Sequence, residues 1–554
     1  FFSEYVPDHE KRLEWLTGFT GSAGTVVVLD HEQPHRSAFF TDGRYVLQAA
    51  QEVDGSLYEI YNSSDISPTE WLKKNAAGDS IGFDPWLNSA TQVERWHKTA
   101  RNLLWVPLAN NPIDELWVER PAAATPEAFA YPLEYAGQSR QEKIITIVQQ
   151  LEEHDVSAVL LTQPQSINWL LNIRGHDIEN TPILLCRAIV TVKGQVYLYA
   201  NEEQVPEALR TGIRLYPPSA LVTHCKRWKQ GAMMLQCSAT PIKLKKLLKN
   251  ANVELINKPD PCTLPKALKN ETELKHIRAT HLTDGAALTK FLHWLDGQAD
   301  TPPTEASAQD KLEDFRKESP DYREPSFPTI SGFGENGAIV HYRAQPESCL
   351  TFHNNSLYLV DSGGQYLGGT TDVTRTITIG TPSKEMCENY TRVLQGHIAI
   401  STAIFPTGTN GNQLDSLART PLWEVGQDYD HGTSHGVGCY MSVHEGPQSI
   451  SKRSNGVSLQ EGMILSNEPG YYKTGEYGIR IENLVEVIAA KQDGFLTFRN
   501  LTCAPLDKRL VIKGMLTPAQ IEWWNSYHQW AWECLNDRLE DDAQCWLKES
   551  CAPL

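Results

Sequence analysis

The sequence predicts a multidomain protein of mixed α/β and α+β class, with two small, related α/β domains ahead of a larger C-terminal domain. Its 554 residues exceed what one hydrophobic core normally supports, so we expect two to four domains. A faint internal repeat aligns the surroundings of Trp15 with those of Trp169. Near Asn270 a capping pattern precedes a long amphipathic run, which predicts the helix that opens the C-terminal domain.

The repeat determines how the N-terminal half divides. In each copy a tryptophan-containing run precedes strand-like runs, at 24–29 and 39–43 in the first copy and at 188–192 and 196–199 in the second. The second copy also has a helix-like run at 140–151 and a strand-like run at 158–161, whereas the first copy starts almost at its tryptophan, so we expect that upstream residues are missing. A proline-rich linker separates the copies. The predicted domains are 1–125, 138–264 and 265–554, with the linker at 121–137.

Composition excludes several classes of function. With 40% hydrophobic and 21% charged residues, the chain is ordinary for a globular protein. A net charge of −18 argues against nucleic-acid binding, and no run of about 18 apolar residues predicts a membrane span. Eleven scattered cysteines indicate reduced thiols, and therefore a cytoplasmic protein, rather than a disulfide framework.

Five side chains of metal-binding type stand in the C-terminal half, each in its own short motif. Any one of them alone is more often a turn or structural residue, such as an Asp before Gly-Gly. Their joint occurrence predicts a dinuclear metallohydrolase. The five are Asp361 (Val-Asp-Ser-Gly-Gly), Asp372 (Thr-Thr-Asp-Val-Thr), His435 (His-Gly-Thr-Ser-His-Gly-Val-Gly), Glu468 (Asn-Glu-Pro-Gly-Tyr) and Glu482 (Arg-Ile-Glu-Asn).

The chemistry explains why these residue types belong together. Four carboxylates in one buried place would repel and take up protons unless cations balance them. Two divalent ions supply that charge, and oxygen ligands with one imidazole suit Mn²⁺, Co²⁺ or Zn²⁺. Two such ions about 3.5–4 Å apart can hold a water between them and lower its pKa.

Local patterns show how the ligands could converge. The run 356–361 predicts a strand, and 372–379 predicts its antiparallel mate, so both aspartates would lie on one face of a hairpin. Period-two alternation places Arg480 on the same face as Glu482, which makes Arg480 a candidate to support the metal cluster. Gly332-Phe-Gly-Glu-Asn-Gly337 fits a dinucleotide-binding spacing, but a β-like run follows where that motif requires a helix, so we interpret it as a loop leading to His341.

The segment from His431 to Pro447 resembles the signature of the proline-specific branch of the metal-dependent peptide hydrolases with the pita-bread fold. Its spacing matches throughout, although Ser434 stands where the signature most often has Gly. Over nearly its full length the chain resembles the three-domain aminopeptidases P of the eukaryotic cytosolic type. This resemblance implies two creatinase-N-like α/β domains followed by a pita-bread catalytic domain.

The resemblance also implies a role for each residue. Asp361 would chelate one metal, Asp372 and Glu482 would bridge both, and His435 and Glu468 would bind the other, with Glu468 as general base. His341, His431 and His444 would handle substrate and protons, because imidazole can donate to an oxyanion or to a leaving amine near neutral pH. Arg480 would support the cluster by a charge-assisted hydrogen bond. The expected cofactors are two divalent ions, Mn²⁺ first, with Co²⁺ or Zn²⁺ as alternatives.

The implied activity is that of an Xaa-Pro aminopeptidase, which releases the first residue from peptides with proline in second position after attack by a metal-bridging hydroxide. Prolidase, acting on Xaa-Pro dipeptides, is one alternative, and three domains rather than two argue against it. A non-catalytic peptide- or histone-binding protein of the same fold is another, and it would need no metal ligands. Expected partners are proline-containing peptides and, by resemblance, a second copy of the chain.

The C-terminal stretch is rich in tryptophan. Core packing and a subunit interface both explain this composition, and the sequence leaves the two open. The tryptophans concerned are Trp523, Trp524, Trp530 and Trp532.

Overall fold

The structure is a computed structural model that describes residues 3–29, 37–76, 78–353 and 355–554. The chain divides into two compact units, Phe1–Lys266 and Ala267–Leu554, and both combine helices with sheets. The boundary between the units lies close to residue 265, where the sequence predicts the start of the C-terminal domain. The first two residues of the predicted first domain lie outside the described residues.

The first unit contains short helices and strands. Its helices are α1 (Arg12–Thr17), α2 (Val46–Glu52), α3 (Pro68–Asn75), α4 (Ala90–Thr99), α5 (Pro112–Leu116), α6 (Leu133–Ala136), α7 (Arg140–Glu153), α8 (Pro164–Leu171), α9 (Ala220–Arg227) and α10 (Ile242–Asn250), and α11 (Thr263–Ala267) spans the boundary. Its strands are β1 (Thr25–Val27), β2 (Ser37–Thr41), β3 (Tyr58–Asn62), β4 (Ser80–Phe83), β5 (Leu104–Pro107), β6 (Phe129–Ala130), β7 (Ala158–Leu161), β8 (Ile173–Arg174), β9 (Arg187–Thr191), β10 (Val196–Tyr199), β11 (Ile213–Tyr216), β12 (Met233–Leu235) and β13 (Leu255–Asn257).

Two main sheets organise the first unit. One has the order β1-β2-β3, and the other has the order β11-β10-β9-β7-β12-β13. Helix α1, with Trp15, precedes the antiparallel pair β1–β2, and helix α8, with Trp169, precedes the antiparallel pair β9–β10. The helix predicted at 140–151 is α7, which begins with a capping box formed by Ser139 and Glu142.

The second unit is richer in strands. Its helices are α12 (Glu271–Asp296), α13 (Glu305–Lys317), α14 (Lys384–Ser401), α15 (Asp415–Trp423), α16 (Pro518–Leu535) and α17 (Asp541–Ser550). Its strands are β14 (Tyr322–Pro325), β15 (Ile330–Phe333), β16 (Ser356–Ser362), β17 (Gly364–Tyr366), β18 (Gly369–Thr370), β19 (Val373–Ile379), β20 (Ile404–Pro406), β21 (Ser434–His435), β22 (Ser449–Ile450), β23 (Ile464–Asn467), β24 (Gly470–Lys473), β25 (Tyr477–Arg480), β26 (Asn483–Ala489) and β27 (Phe495–Asn500). Among the described residues, no helix combines the length and apolar character needed to cross a membrane.

Helices cover the sheets of the second unit. Helix α12 begins at the predicted cap, because the Asn270 side chain accepts from the amides of Thr272 and Glu273. Apolar residues of α12 and α13, such as Phe291 and Leu312, join one core with β16 and β19 of the antiparallel sheet β15-β16-β19. Helices α14 and α15 join another core with the antiparallel sheet β20-β27-β26-β23.

The predicted hairpin is confirmed by β16 and β19, which pair antiparallel with Asp361 opposite Thr374. Asp372 lies two residues before Thr374, and side chains two apart along a strand share a face. Both aspartates therefore lie on the same side of the sheet. Between the two strands, the glycine-rich segment folds into β17 and β18, a smaller antiparallel pair.

The alternating run that carries Arg480 and Glu482 is divided between two strands. β25 pairs with β24, whereas β26 pairs with β23 and β27. At the break, the Ile481 amide donates to Pro469 O and the Glu482 amide donates to Thr374 O. The chain thus changes partners next to Glu482.

The segment before His341 is not the predicted β-like run. After β15 the chain forms a 3-10 helix, Gly334–Ala338, and then a turn. This helix packs closely on β25, because a Cβ added at Gly478 would lie 1.7 Å from Gly337 O. Close packing of two backbones, which alternation cannot reveal, explains the difference.

Candidate metal centre

The five predicted ligands converge in the second unit. The structure places their ligand atoms in overlapping groups of three, within which all atoms lie within 4.8 Å of one another. The groups are Asp361 with Asp372 and Glu482, His435 with Glu468 and Glu482, and Asp372 with His435 and His444. Because Asp372, His435 and Glu482 each belong to two groups, the cluster is large enough for two ions.

Each ligand is positioned by the end or edge of a strand. Asp361 lies in β16 and Asp372 directly precedes β19. His435 lies in the two-residue strand β21, and Glu468 follows β23 immediately before Pro469, as predicted. Glu482 occupies the break between β25 and β26. Four different sheets therefore contribute to one site.

Burial makes ionisation of the carboxylates costly. It raises the pKa of Asp361 to about 7, with Arg480 opposing the rise and Asp372 adding to it. It also raises the pKa of Glu468, and it raises that of Glu482 well above the usual range together with the charges of Asp372 and Asp361. Such carboxylates remain ionised at neutral pH only if cations balance their charge.

The remaining polar atoms also fit metal ions. Asp361 Oδ2 accepts from Arg480 Nη2 at 2.6 Å, whereas its Oδ1 is buried without a hydrogen-bond partner among the described residues. Buried polar atoms are normally paired, so Oδ1 is available to a cation. An orphaned carboxylate oxygen inside an acidic cluster is what a divalent ion requires.

His435 is oriented as a metal-binding imidazole. Its Nδ1 lies 3.0 Å from Gly436 O, so Nδ1 carries the proton and Nε2 is left for a ligand. That Nε2 lies 3.3 Å from Asp372 Oδ2 and 3.5 Å from Glu468 Oε1. Although burial lowers the pKa of His435, the hydrogen bond to Asp372 and the charge of Glu468 raise it to about 9. Cations would replace this proton at the same carboxylates.

Arg480, the candidate to support the cluster, donates hydrogen bonds beside the ligands. Besides holding Asp361, its Nε donates to Thr374 Oγ1 at 3.1 Å, and Thr374 in turn donates to Glu482 Oε2 at 2.8 Å. Its Nη1 donates to Tyr472 Oη at 2.6 Å. One buried guanidinium therefore reaches two of the ligands, directly or through a hydroxyl.

His431 is held through both ring nitrogens. Nδ1 donates to Gly432 O at 2.7 Å, so Nε2 accepts, and it lies 2.8 Å from Tyr472 Oη. Burial raises the pKa of Tyr472 to about 12, so at neutral pH its hydroxyl keeps the proton that it donates to His431. His431 Nδ1 also lies 3.8 Å from Glu468 Oε2.

The other two predicted histidines are His444 and His341. The His444 ring lies 4.4 Å from that of His435 at an interplanar angle of 75°. His341 is half-buried, and the carbonyl of the preceding Val340 accepts from Arg480 Nη2 at 3.4 Å. His431 and His444 thus lie at the cluster, whereas His341 directly follows a residue whose carbonyl contacts Arg480.

The structure adds two residues that the sequence analysis missed. Thr374 could have been found, because it lies two residues after Asp372 on the same face of a predicted strand. Tyr472 carries no such signal, because its contacts with Arg480 and His431 depend on the pairing of β24 with β25.

Comparison with known proteins gives matches along the chain. The family model for metallopeptidase family M24 matches residues 275–489, and that for its C-terminal region matches 494–554. Two models of the creatinase/prolidase N-terminal domain match residues 5–116 and 119–273.

Curated relatives match over the full length. The "Probable Xaa-Pro aminopeptidase P" of Laccaria bicolor is 38% identical, with 100% of this chain and 89% of the relative covered. "Aminopeptidase P2" of Arabidopsis thaliana is 37% identical, with 100% and 84% covered.

Among solved structures, the chain is similar to an X-prolyl aminopeptidase from Caenorhabditis elegans, described as a cytosolic enzyme with a dinuclear active site. The TM-score is 0.95 at 32% identity, covering 100% of this chain and 93% of that one. The Xaa-Pro dipeptidase from Bacillus anthracis has a TM-score of 0.55 at 23% identity, covering 67% of this chain and 99% of that one, and shows the fold alone.

The raised pKa of Glu482 predicts how metal-free protein responds to pH. The folded state keeps a proton on Glu482 that the unfolded chain releases above about pH 4.3. Metal-free wild type should therefore lose stability relative to Glu482→Gln as pH rises above this value, by at most about 1.4 kcal/mol per pH unit. Calorimetric melting temperatures in chelator between pH 4.5 and 8 measure this difference.

The exposed Glu461 gives the matched control. Glu461→Gln should follow the wild-type curve at every pH. Parallel curves for wild type and Glu482→Gln would contradict the raised pKa.

Proposed function

The chain belongs to metallopeptidase family M24, and from this membership and the geometry of the metal centre we infer that it is a metal-dependent Xaa-Pro aminopeptidase. It releases the N-terminal residue from peptides with proline in second position. The observation that carries this inference is the full-length likeness to aminopeptidases P, including one solved enzyme with a dinuclear site. The likeness to prolidases extends over two thirds of the chain and concerns the fold alone.

The catalytic centre takes two divalent metal ions. We propose Mn²⁺, because oxygen-rich ligation with a single imidazole suits it, with Co²⁺ and Zn²⁺ as alternatives. In this proposal Asp361 binds one ion, Asp372 and Glu482 bridge both, and His435 and Glu468 bind the other. The three overlapping groups of ligand atoms support this division.

When bound, the two ions supply an activated water and stabilise the charge that develops on the scissile carbonyl. We propose Glu468 as general base, because it lies at the cluster with one oxygen near His435 and the other near His431. His341 and His444 are proposed to donate to the oxyanion and to the prolyl nitrogen. That nitrogen is a secondary amine and must be protonated before it leaves.

Arg480 and His431 act by holding other groups. Arg480 favours the ionised form of Asp361 and orients the carboxylate through its 2.6 Å hydrogen bond. Because both nitrogens of His431 are bound within the protein, we propose that it acts through Tyr472, whose hydroxyl it fixes beside Arg480.

We also propose that the first unit comprises two domains, 1–125 and 138–264, with the catalytic domain at 265–554. The separate sheets of the first unit and the two creatinase/prolidase matches support this division. Cytoplasmic location is proposed from the eleven cysteines, scattered without a disulfide-like spacing, and from the cytosolic enzyme of similar structure.

Cleavage of an Arg-Pro-Pro tripeptide beside an Xaa-Pro dipeptide tests the function. Chelated enzyme should be inactive, and enzyme resupplied with Mn²⁺ should release free arginine from the tripeptide. Parallel assays with Co²⁺ and Zn²⁺ rank the metals. Cleavage confined to the dipeptide would mean prolidase, and no cleavage with any metal would contradict the proposal.

Replacing a bridging ligand should abolish turnover while the protein stays folded. Asp372→Asn keeps the shape of the side chain but weakens metal bridging, so we expect kcat to fall by a factor of about 1000 or more. Bound metal, measured by plasma mass spectrometry, should fall below two ions per chain, with an unchanged circular dichroism spectrum. The exposed Asp493→Asn is the matched control and should retain both metal and activity. Full activity in Asp372→Asn would contradict the two-metal assignment.

We propose a homodimer as the assembled state. The C-terminal tryptophans are partly explained by packing, because Trp524 is fully buried and Trp523 and Trp530 pack against the same core. By contrast, Leu417 in the first turn of α15, Trp423 at its last position and Val425 just after it are 41%, 46% and 47% exposed. Large apolar side chains gathered on a surface often mark an interface.

Sedimentation velocity tests the dimer. Wild type should sediment as a dimer and Trp423→Asp as a monomer. Leu133→Asp, at another exposed apolar position, is the control and should remain dimeric. A monomeric wild type at micromolar concentration would contradict the proposal.

A further inference from the structure

A carboxylate away from the metal ligands is fully buried at the start of α13. Glu305 has 0% exposure, and both of its oxygens accept hydrogen bonds. Oε1 accepts from the Phe333 amide at 2.6 Å and from Asn336 Nδ2 at 3.0 Å. Oε2 accepts from Asn336 Nδ2 at 3.0 Å, Tyr342 Oη at 2.9 Å and the Leu350 amide at 2.8 Å.

These donors share two properties. All are neutral, and all lie between Phe333, the last residue of β15, and Leu350, a stretch that contains His341. The first turn of α13, where Glu305 lies, also favours a negative charge, because the helix dipole is positive at that end. A buried carboxylate that accepts hydrogen bonds from this many donors of one segment restrains the conformation of that segment.

The same segment is anchored a second time at Val340. Its carbonyl accepts from Arg480 Nη2 at 3.4 Å, and the same nitrogen donates to Asp361. His341 therefore lies between an anchor on Arg480 at Val340 and an anchor on Glu305 at Tyr342. Two fixed neighbours restrict the backbone from which the imidazole projects.

We propose that Glu305 is a positioning residue that, through the hydroxyl of Tyr342, fixes the backbone that carries His341. The proposal rests on the role of His341 in proton donation under the proposed function. Near the reacting atoms, a misplacement of about 1 Å can cost a factor of about 100 in rate, so the anchor matters although Glu305 is not among the ligands.

Two substitutions test the anchor in different ways. Glu305→Gln keeps the size of the side chain but turns an amide N–H toward neighbours that are themselves donors. Tyr342→Phe removes the hydroxyl that donates to Glu305 from the residue next to His341. The other hydrogen bonds of Glu305 stay in place. If Glu305→Gln fails to fold, Tyr342→Phe still tests the proposal.

The experiment is a double-mutant cycle with His341→Ala, measured as kcat/KM on Arg-Pro-Pro with metal content and melting temperature recorded. We expect Glu305→Gln and Tyr342→Phe each to lower kcat/KM by about 10- to 100-fold with both metals retained. In the His341→Ala background, either substitution should lower kcat/KM by less than about 2-fold, because the imidazole that it would misplace is already absent. Glu335→Gln, exposed in the same segment, should behave as wild type.

The proposal would be overturned if the fold-losses in kcat/KM of the single variants multiply in the double variant. A general structural defect would lower kcat/KM to the same extent whether or not His341 is present. Wild-type activity in Tyr342→Phe or in His341→Ala would overturn it as well. An inactive wild type would instead overturn the proposed function, and this inference with it. If wild type is active and the losses of the two substitutions add in free energy, the proposed role of Glu305 is overturned and the proposed function stands.

Discussion

Mutual repulsion among four buried carboxylates is the constraint on which the second unit depends. Asp361, Asp372, Glu468 and Glu482 belong to overlapping groups of ligand atoms, and burial raises the pKa of Asp361, Glu468 and Glu482. Separate ionised carboxylates could not remain in such a place without cations. Metal ions would therefore stabilise the arrangement of the sheets that supply these residues. Folding of the second unit and metal binding would then be coupled.

Arg480 carries the protein's own share of the balancing charge. It contacts Asp361 directly, Glu482 through Thr374, His431 through Tyr472 and the His341 segment through Val340. A buried guanidinium is stable only when its donors are satisfied, and each of these partners meets that requirement. The same hydrogen bonds connect the candidate metal ligands with Tyr472, His431 and the backbone next to His341.

Several elements could be predicted from the sequence because their signals are local. The cap at Asn270, the strands around Asp361 and after Asp372, and the strand end before Glu468 depend on neighbouring residues. The break before Glu482 and the 3-10 helix before His341 could not be predicted. They depend on β23 and on Gly478, which pack against these segments from elsewhere in the chain.

The sequence by itself predicted which five side chains would gather as candidate metal ligands and in which motifs they stand, because residue type and spacing carry that information. Only the tertiary structure decided what those residues touch. Tyr472 lies between Arg480 and His431, and Glu305 contacts Tyr342, because strands and helices that are far apart in the sequence meet there. Side-chain contacts at such separation leave no periodic or local pattern, so packing alone establishes them.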